Sequence, residues 1–341
     1  MTGIKNIREL ARLLNVSPST VSRVLNNPGG CKHVSEAMRL RVTEEMQKLD
    51  YIPNINAKRL FTKKSNIIAL VLPDIAACRS LGDKHALRML YGLEVALRNS
   101  GYRLLLPFSD AQFVKRKEYL SLFREKSIDG MIVWGAGAGE THWDELAAAG
   151  YPVVFSTSPS GMARDFSSVL HDYGSASGML LDYLAGRGHR NIGWIGGIEG
   201  NGTTVQMEEG LDAALRRHRG LKVFRKNGDF MAGNAVALCR DLLAGHGGIT
   251  AVLTGNIFVA RAIQKDMALR PGDYPPLELA SCDNSDQDAE DYAGGMACAF
   301  VDDYELGRRS VKLLIELIGG RPGPVKELIP VELLGCQGAP A

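Results

Sequence analysis

No apolar run in the 341 residues reaches the ~18 that a membrane-spanning helix requires. The opening stretch MTGIKNIREL has no hydrophobic centre of the kind a secretory signal carries, so the expected compartment is the cytoplasm. Cysteine is sparse. The six, Cys31, Cys78, Cys239, Cys282, Cys298 and Cys336, form no CxxC pair and read as free thiols in a reducing compartment. The seven histidines, at 33, 85, 142, 171, 189, 218 and 246, are dispersed, and no clustered Cys/His ligand set appears. HExxH, GxSxG and GxxxxGK[ST] are all missing. The glycine-rich pieces WGAGAGE and GWIGGIEGNG are not at a first strand with a trailing acidic residue, so they read as strand-end loops. With no catalytic constellation, the expectation is a protein that is not an enzyme and uses neither metal nor cofactor.

What is present is unevenly distributed. Hydrophobic residues make up 45% and charged residues 23%, an ordinary balance for a globular chain long enough for two or three domains. The formal net charge is only +2, yet residues 1–64 hold twelve Lys/Arg against five Asp/Glu, and the remainder twenty-eight against thirty-three. A basic head on a mildly acidic body points to a polyanion met by the head alone.

The head reads as three short helices. Asn6 and Glu9 have the spacing of a capping box, and Ile7, Leu10, Ala11 and Leu14 follow on one apolar face. Asn15 tolerates a left-handed turn and Ser17 is a helix cap, which puts Pro18 at the first helical position, where its missing N–H costs nothing. Val21, Val24 and Leu25 bury one side of that second helix. Ser19, Thr20, Ser22, Arg23 and Asn26 face elsewhere. Ser35 caps a third helix whose apolar positions are Met38, Val42, Met46 and Leu49. Two helices joined by about three residues make a helix-turn-helix, whose second helix normally enters the DNA major groove.

The stretch NIRELARLLNVSPSTVSRVLNN, followed by VSEAMRLRV, LDYIPNINAKRL and TKKSNIIALVLPDI, resembles the amino-terminal signature of the lactose-repressor/galactose-repressor (LacI/GalR) family of bacterial transcription regulators. The likeness extends more loosely over the body. It implies that Pro18, Ser19 and Arg23 meet base edges, with Arg23 able to donate two parallel hydrogen bonds to a guanine. Ser17, Thr20, Ser22 and Asn26 match positions that hold phosphates. PNINAKRLFTKK matches the hinge helix, so Asn54, Ala57, Lys58 and Leu60 are expected at the DNA. Leu60 would wedge into a base step, with Lys58, Arg59, Lys63 and Lys64 supplying charge around it. Without DNA, residues 53–65 read equally as a flexible basic linker. The connection NPGGCKH is about three residues longer than the family's usual one.

From residue 67 short apolar runs alternate with helical stretches. IIALVL, RLLL, MIVW and PVVF form one series and NIGWIG, VF, AVLT and LELA a second, with helices such as 205–218 and 257–268 between. The expected fold is therefore an α/β core of two doubly wound lobes preceded by an all-α helix-turn-helix head. The resemblance implies a periplasmic-binding-protein-like core with crossings near 166, 298 and 325. The domains expected are a head at 1–51, a hinge at 52–66 and a core at 67–341. Within the core, lobe one takes about 67–166 plus 298–324, and lobe two about 167–297 plus 325–341.

Ligands in such cores bind between the lobes at strand carboxyl ends, which singles out Trp134, Asn256 and Asp283. The resemblance also implies Met207 as an effector-site residue; relatives usually carry an arginine there, and an aspartate where this chain has Ile257, which puts a standard sugar inducer in doubt. The segment ACRSLGDKHALRMLYG is some six residues longer than usual and places Arg79 or His85 at the pocket mouth. The expected function is a homodimeric repressor that binds a pseudo-palindromic operator in double-stranded DNA, with no contact to membranes. A small effector, a sugar or related metabolite, would control it from the cleft. The tail GCQGAPA has no heptad repeat for a coiled-coil tetramer. Two alternatives stay open: a solute-binding protein serving a transporter, and a DNA-binding regulator controlled by a protein partner.

Overall fold

The computed structural model describes residues 6–26, 33–52, 59, 62–73, 84–98, 100–136, 139–156, 165–284 and 296–335. The chain separates into two compact units, one running through Asn66 and the other carrying nearly all of the remainder.

The first unit contains α1 (Ile7–Leu13), α2 (Pro18–Asn26) and α3 (Glu36–Lys48). Asn6 Oδ1 accepts from the backbone N–H of Arg8 and of Glu9, both at 3.0 Å, and Asn6 Nδ2 donates to Glu9 Oε1 at 2.9 Å. The cap is thus reciprocal, although Glu9 meets the asparagine side chain and not its backbone. Asn15 takes φ 54°, the left-handed turn between α1 and α2. Ser35 Oγ accepts from Met38 N at 3.3 Å and starts α3. The buried face is Leu10, Ala11, Leu14, Val21, Val24 and Val42, with Met38, Met46 and Leu49 packed against it. Tyr51, just past α3, also belongs to this core, a contribution the helical periodicity does not reveal.

From Ile67 strands and helices alternate. The first series is β1 (Ile67–Pro73), α4 (Lys84–Arg98), β2 (Arg103–Leu105), β3 (Phe108–Ser109), α5 (Ala111–Lys115), α6 (Glu118–Arg124), β4 (Gly130–Val133), α7 (Asp144–Ala148), β5 (Val153–Phe155) and β6 (Ser167–His171). The second is α8 (Tyr173–Gly186), β7 (Asn191–Gly196), α9 (Gly202–Leu215), β8 (Lys222–Asn227), α10 (Ala232–Gly245), β9 (Ala251–Thr254), α11 (Ile257–Leu269), β10 (Glu278–Ser281) and β11 (Ala297–Phe300). The chain closes with α12 (Asp303–Ile318), β12 (Lys326–Ile329) and β13 (Glu332–Leu334).

These strands form two sheets. One runs β12-β6-β5-β4-β1-β2, with β3 also on β1, and every pairing in it is parallel. The other runs β13-β11-β10-β9-β7-β8 and is parallel except at the β11–β13 edge. β4 and β9 are buried at every residue, as strands covered on both faces must be. In the first lobe α12 lies so close on α4 that a Cβ at Gly307 would stand 2.2 Å from the carbonyl oxygen of Met89.

The strand assignments move all three crossings between lobes later than expected. β6 pairs in the first sheet, so the chain leaves that lobe after His171 and not near 166. β11 pairs in the second, so the return falls between Phe300 and Asp303 and not near 298. β12 adds to β6, so the last crossing follows Ile329 and not 325. In each case the strand is finished before the chain changes lobe, because a half-strand would leave backbone groups of the sheet unpaired.

Candidate functional site

The exposed face of α2 is held rigidly from beneath. Val21 is fully buried and Val24 nearly so, while Ser17, Pro18, Ser19 and Arg23 are exposed and Thr20 and Ser22 half-buried. Ser17 Oγ accepts from Thr20 N at 3.1 Å and shares hydrogen bonds with Ser19 Oγ at 2.7 Å and Thr20 Oγ1 at 2.9 Å. Pro18 follows it as the first residue of the helix. The cap thus also gathers two neighbouring hydroxyls, leaving Arg23 as the long cationic side chain of this face. Asn26 ends the helix. Asn54, Ala57, Lys58 and Leu60, the hinge positions, lie outside the described residues. Lys63 N donates to the Arg59 carbonyl at 2.9 Å.

In the larger unit a cleft of about 190 Å³ opens between the two lobes. That is below the roughly 300–1,000 Å³ of pockets for drug-sized molecules, and it fits a small ligand. Trp134, half-buried just after β4, lines it from the first lobe. Asn256 and Asp283 line it from the second, each at the exit of a strand. Both also have structural work. Asn256 Oδ1 caps α11, accepting from Phe258 N at 2.7 Å and Val259 N at 3.4 Å. Asp283 Oδ1 accepts from Ile257 N at 2.8 Å, which pins the start of α11 to the end of β10.

Met207 is not brought into the cleft. It is fully buried in the second lobe's core, on the α9 face made by Thr204, Met207, Leu211 and Ala214. Its sulfur lies 3.5 Å from where a Cβ on Gly255 would be. The cleft is reached from α9 by Thr203 and Gln206, one step around the helix. The apolar period of residues 204–214 already marks the buried side.

Several lining residues were not anticipated. Phe230, a cleft-lining residue, holds φ at 62°, and its ring stands against Gly197, where a Cβ would fall 1.9 Å from a ring atom. More unusual is a buried chain of polar groups. Asp303 Oδ2 lies 2.7 Å from His85 Nδ1, and Asp303 Oδ1 lies 3.0 Å from His171 Nε2. His85 Nε2 stands 3.8 Å from Asp283 Oδ2 across the cleft, with the ring of Phe258 edge-on to His85 at 6.3 Å. Burial by itself pushes the Asp303 carboxyl up, but the flanking imidazoles override it and hold the group down at about 2. Asp303 is therefore ionised at neutral pH. His85 was expected at the mouth and lines the cleft, whereas Arg79 is outside the described residues.

The sequence did carry a signal for this cluster at the crossings. VLHDYG and FVDDYELG each pair an aspartate cap with a second titratable residue. Asp172 caps α8 by accepting from Ser175 N, and Asp302 caps α12 by accepting from Glu305 N. His171 and Asp303 are the residues left over, and they face each other.

Among the described residues no group of three His, Cys, Asp or Glu side chains stands placed to hold a metal ion. Burial pushes the Cys239 thiol up to about 11 and that of Cys282 well above its ordinary value, so both are inert thiols in the core. No helix among the described residues is long and apolar enough to cross a membrane.

Two family models match the chain. "Bacterial regulatory proteins, lacI family" covers residues 6–54, and "Periplasmic binding proteins and sugar binding domain of LacI family" covers residues 75–262. The ribose operon repressor of Bacillus subtilis is 27% identical over 321 residues, 93% of this chain and 92% of that protein. Among solved structures, a lac repressor dimer bound to operator and the anti-inducer ONPF aligns at TM-score 0.78 and 20% identity, over 97% of each chain. A complex of the transcriptional regulator CelR with cellobiose aligns at TM-score 0.70 and 23% identity, over 97% of this chain and 98% of that one.

Proposed function

The chain belongs to the LacI family of bacterial regulatory proteins, which are transcription regulators and not enzymes, and from that premise we propose how this member works. It is a homodimeric repressor acting in the cytoplasm on a pseudo-palindromic operator, with one α2 in the major groove of each half-site. Arg23 reads a guanine, and Pro18 and Ser19 touch base edges beside it. Ser17, Thr20, Ser22 and Asn26 anchor phosphates and set the register. Asn54, Ala57, Lys58 and Leu60 act at the operator centre, with Leu60 as the wedge.

The observation that carries this reading is the capped α2 with its exposed Arg23, in a chain whose second unit encloses a two-lobed cleft. A solute-binding protein has a use for the cleft and none for the head. A small metabolite of the sugar class, the kind named for the relatives above, binds between the lobes at Trp134, Asn256 and Asp283. It shifts the balance between two arrangements of the core, and so the pairing of the hinges at the operator.

Genome-wide footprinting of the full-length protein tests this directly. Discrete palindromic footprints are expected. Arg23→Ala should cost about 1–3 kcal/mol at one symmetric base-pair position and relax the preference there. Binding that is equal on all sequences, or a variant with unchanged base preference, overturns the assignment.

A further inference from the structure

Two of the three connections between the lobes meet at a single hydrogen bond. His171 is the last residue before the first crossing, Asp303 the first residue of α12 after the second, and their side chains are 3.0 Å apart. Both rings on Asp303 line the cleft, and His171 is buried to within 3%. An ionised carboxylate only accepts hydrogen bonds, so each ring nitrogen facing it carries the hydrogen. When the His171 ring carries a single hydrogen, that places it on Nε2 and leaves Nδ1 with a bare lone pair. In this arrangement of the lobes Nδ1 is buried, and it has no hydrogen-bond partner among the described residues. A buried acceptor in that state costs free energy until something donates to it.

We propose that His171, oriented by Asp303, is the effector contact of the first lobe. Its Nδ1 accepts a hydrogen bond from a ligand hydroxyl, so the cleft takes a neutral hydroxyl-bearing molecule and discriminates against the same molecule carrying a phosphate. This rests on the cleft being the effector site. A hydroxyl supplies the donor that Nδ1 lacks, and a dianionic phosphate supplies only acceptors. The phosphate would also meet the carboxylates of Asp303 and Asp283 in the same small volume. Because His171 and Asp303 stand on separate crossings, a ligand donating to His171 bears directly on the segments that must move when the lobes change arrangement. Asp303 is a positioning residue here, acting through the ring it orients.

Two measurements on the full-length protein test the proposal. Imidazole-¹⁵N NMR at neutral pH should show His171 with its hydrogen on Nε2 and an unprotonated Nδ1. Asp303→Asn, which no longer compels that tautomer, should change the signature. A His171 ring protonated at Nδ1 in the wild type overturns the proposal. Calorimetric titration with ribose, glucose, fructose and cellobiose, each beside a phosphate ester of the same sugar, gives the ligand class. At least one free sugar should bind, and more tightly than its ester.

His171→Gln retains a donor near the Nε2 position and removes the Nδ1 acceptor. It should weaken binding by about tenfold or more. His171→Asn keeps an acceptor near Nδ1 and should retain most of the affinity. Undiminished binding by the glutamine variant, tighter binding of the esters, or no binding of any free sugar each overturn the proposal. Footprints on DNA are read separately, so losing this contact leaves the regulator reading standing, and absent footprints sink that reading alone.

Discussion

The head and the cleft were built by different kinds of interaction, and that difference decides what a sequence can disclose. In the head the decisive hydrogen bonds span three residues or fewer: Asn6 to Arg8 and Glu9, Ser17 to Thr20, Ser35 to Met38. In the cleft they join residues 218 and 132 positions apart, His85 to Asp303 and His171 to Asp303. A local cap is written in adjacent letters. A cluster assembled from two strand exits and two helix starts is not, until the sheet order is known.

The strongest way to separate the two regions is to break one of them alone. Gly307 lies where α12 crosses α4, and any Cβ there meets the Met89 backbone, which cannot repack like a side chain. Gly307→Val should destabilise the core by more than about 4 kcal/mol. The head's own transition, followed by calorimetry, should stay where it is. A head that melts together with the core would show one cooperative unit where two compact ones are described.

Asp303→Asn is expected to be next in size. It removes the charge that two buried imidazoles face and should cost roughly 3 kcal/mol. The sign of its pH dependence follows from the lowered pKa. A carboxyl that falls from an ordinary 3.8 to about 2 on folding contributes stability that is fully present above the unfolded value. That contribution is lost as pH drops through the folded one. The stability gap between wild type and variant should therefore shrink as pH falls from about 4 towards 2. Thermal melts across that range check it, and a gap that persists unchanged to pH 2 refutes it.

The two series of strands and the two-lobed plan were legible because strands buried on both faces leave near-continuous apolar runs: 67–72, 131–133, 191–196 and 251–254 each sit on a strand. The first and last crossings were read early because β6 and β12 open on polar residues, Ser167 and Ser168 in one and Lys326 and Glu327 in the other, which do not read as buried strand. Asn256 and Asp283 were found from their place after a strand, although what each does for α11 was not. Met207 was misplaced for a geometric reason. A position equivalent to a ligand-facing arginine need not point the same way when a shorter apolar side chain can turn into the core, and the helix period at 204, 207, 211 and 214 favours that turn. His171 and Asp303 stayed hidden because each stands beside an aspartate that already explains itself as a cap.

The smallest expected effect concerns Ser17, where local structure and DNA contact fall on one atom. Its Oγ satisfies Thr20 N and holds the hydroxyls of Ser19 and Thr20, so in the free head these groups are committed to one another. Ser17→Ala should cost the head about 1 kcal/mol, the usual worth of a helix cap. It should also weaken operator binding evenly across sequences, because a phosphate anchor carries no base information. Ser17→Asp separates the two roles: a carboxylate caps as well as a hydroxyl and suits a helix N-terminus, but it repels the phosphate it would have to touch. Head stability at or above wild type together with a larger loss of DNA affinity than in the alanine variant is therefore expected. Affinity lost in the alanine variant but kept in the aspartate variant would assign Ser17 to capping alone and leave the phosphate to Thr20 and Ser22.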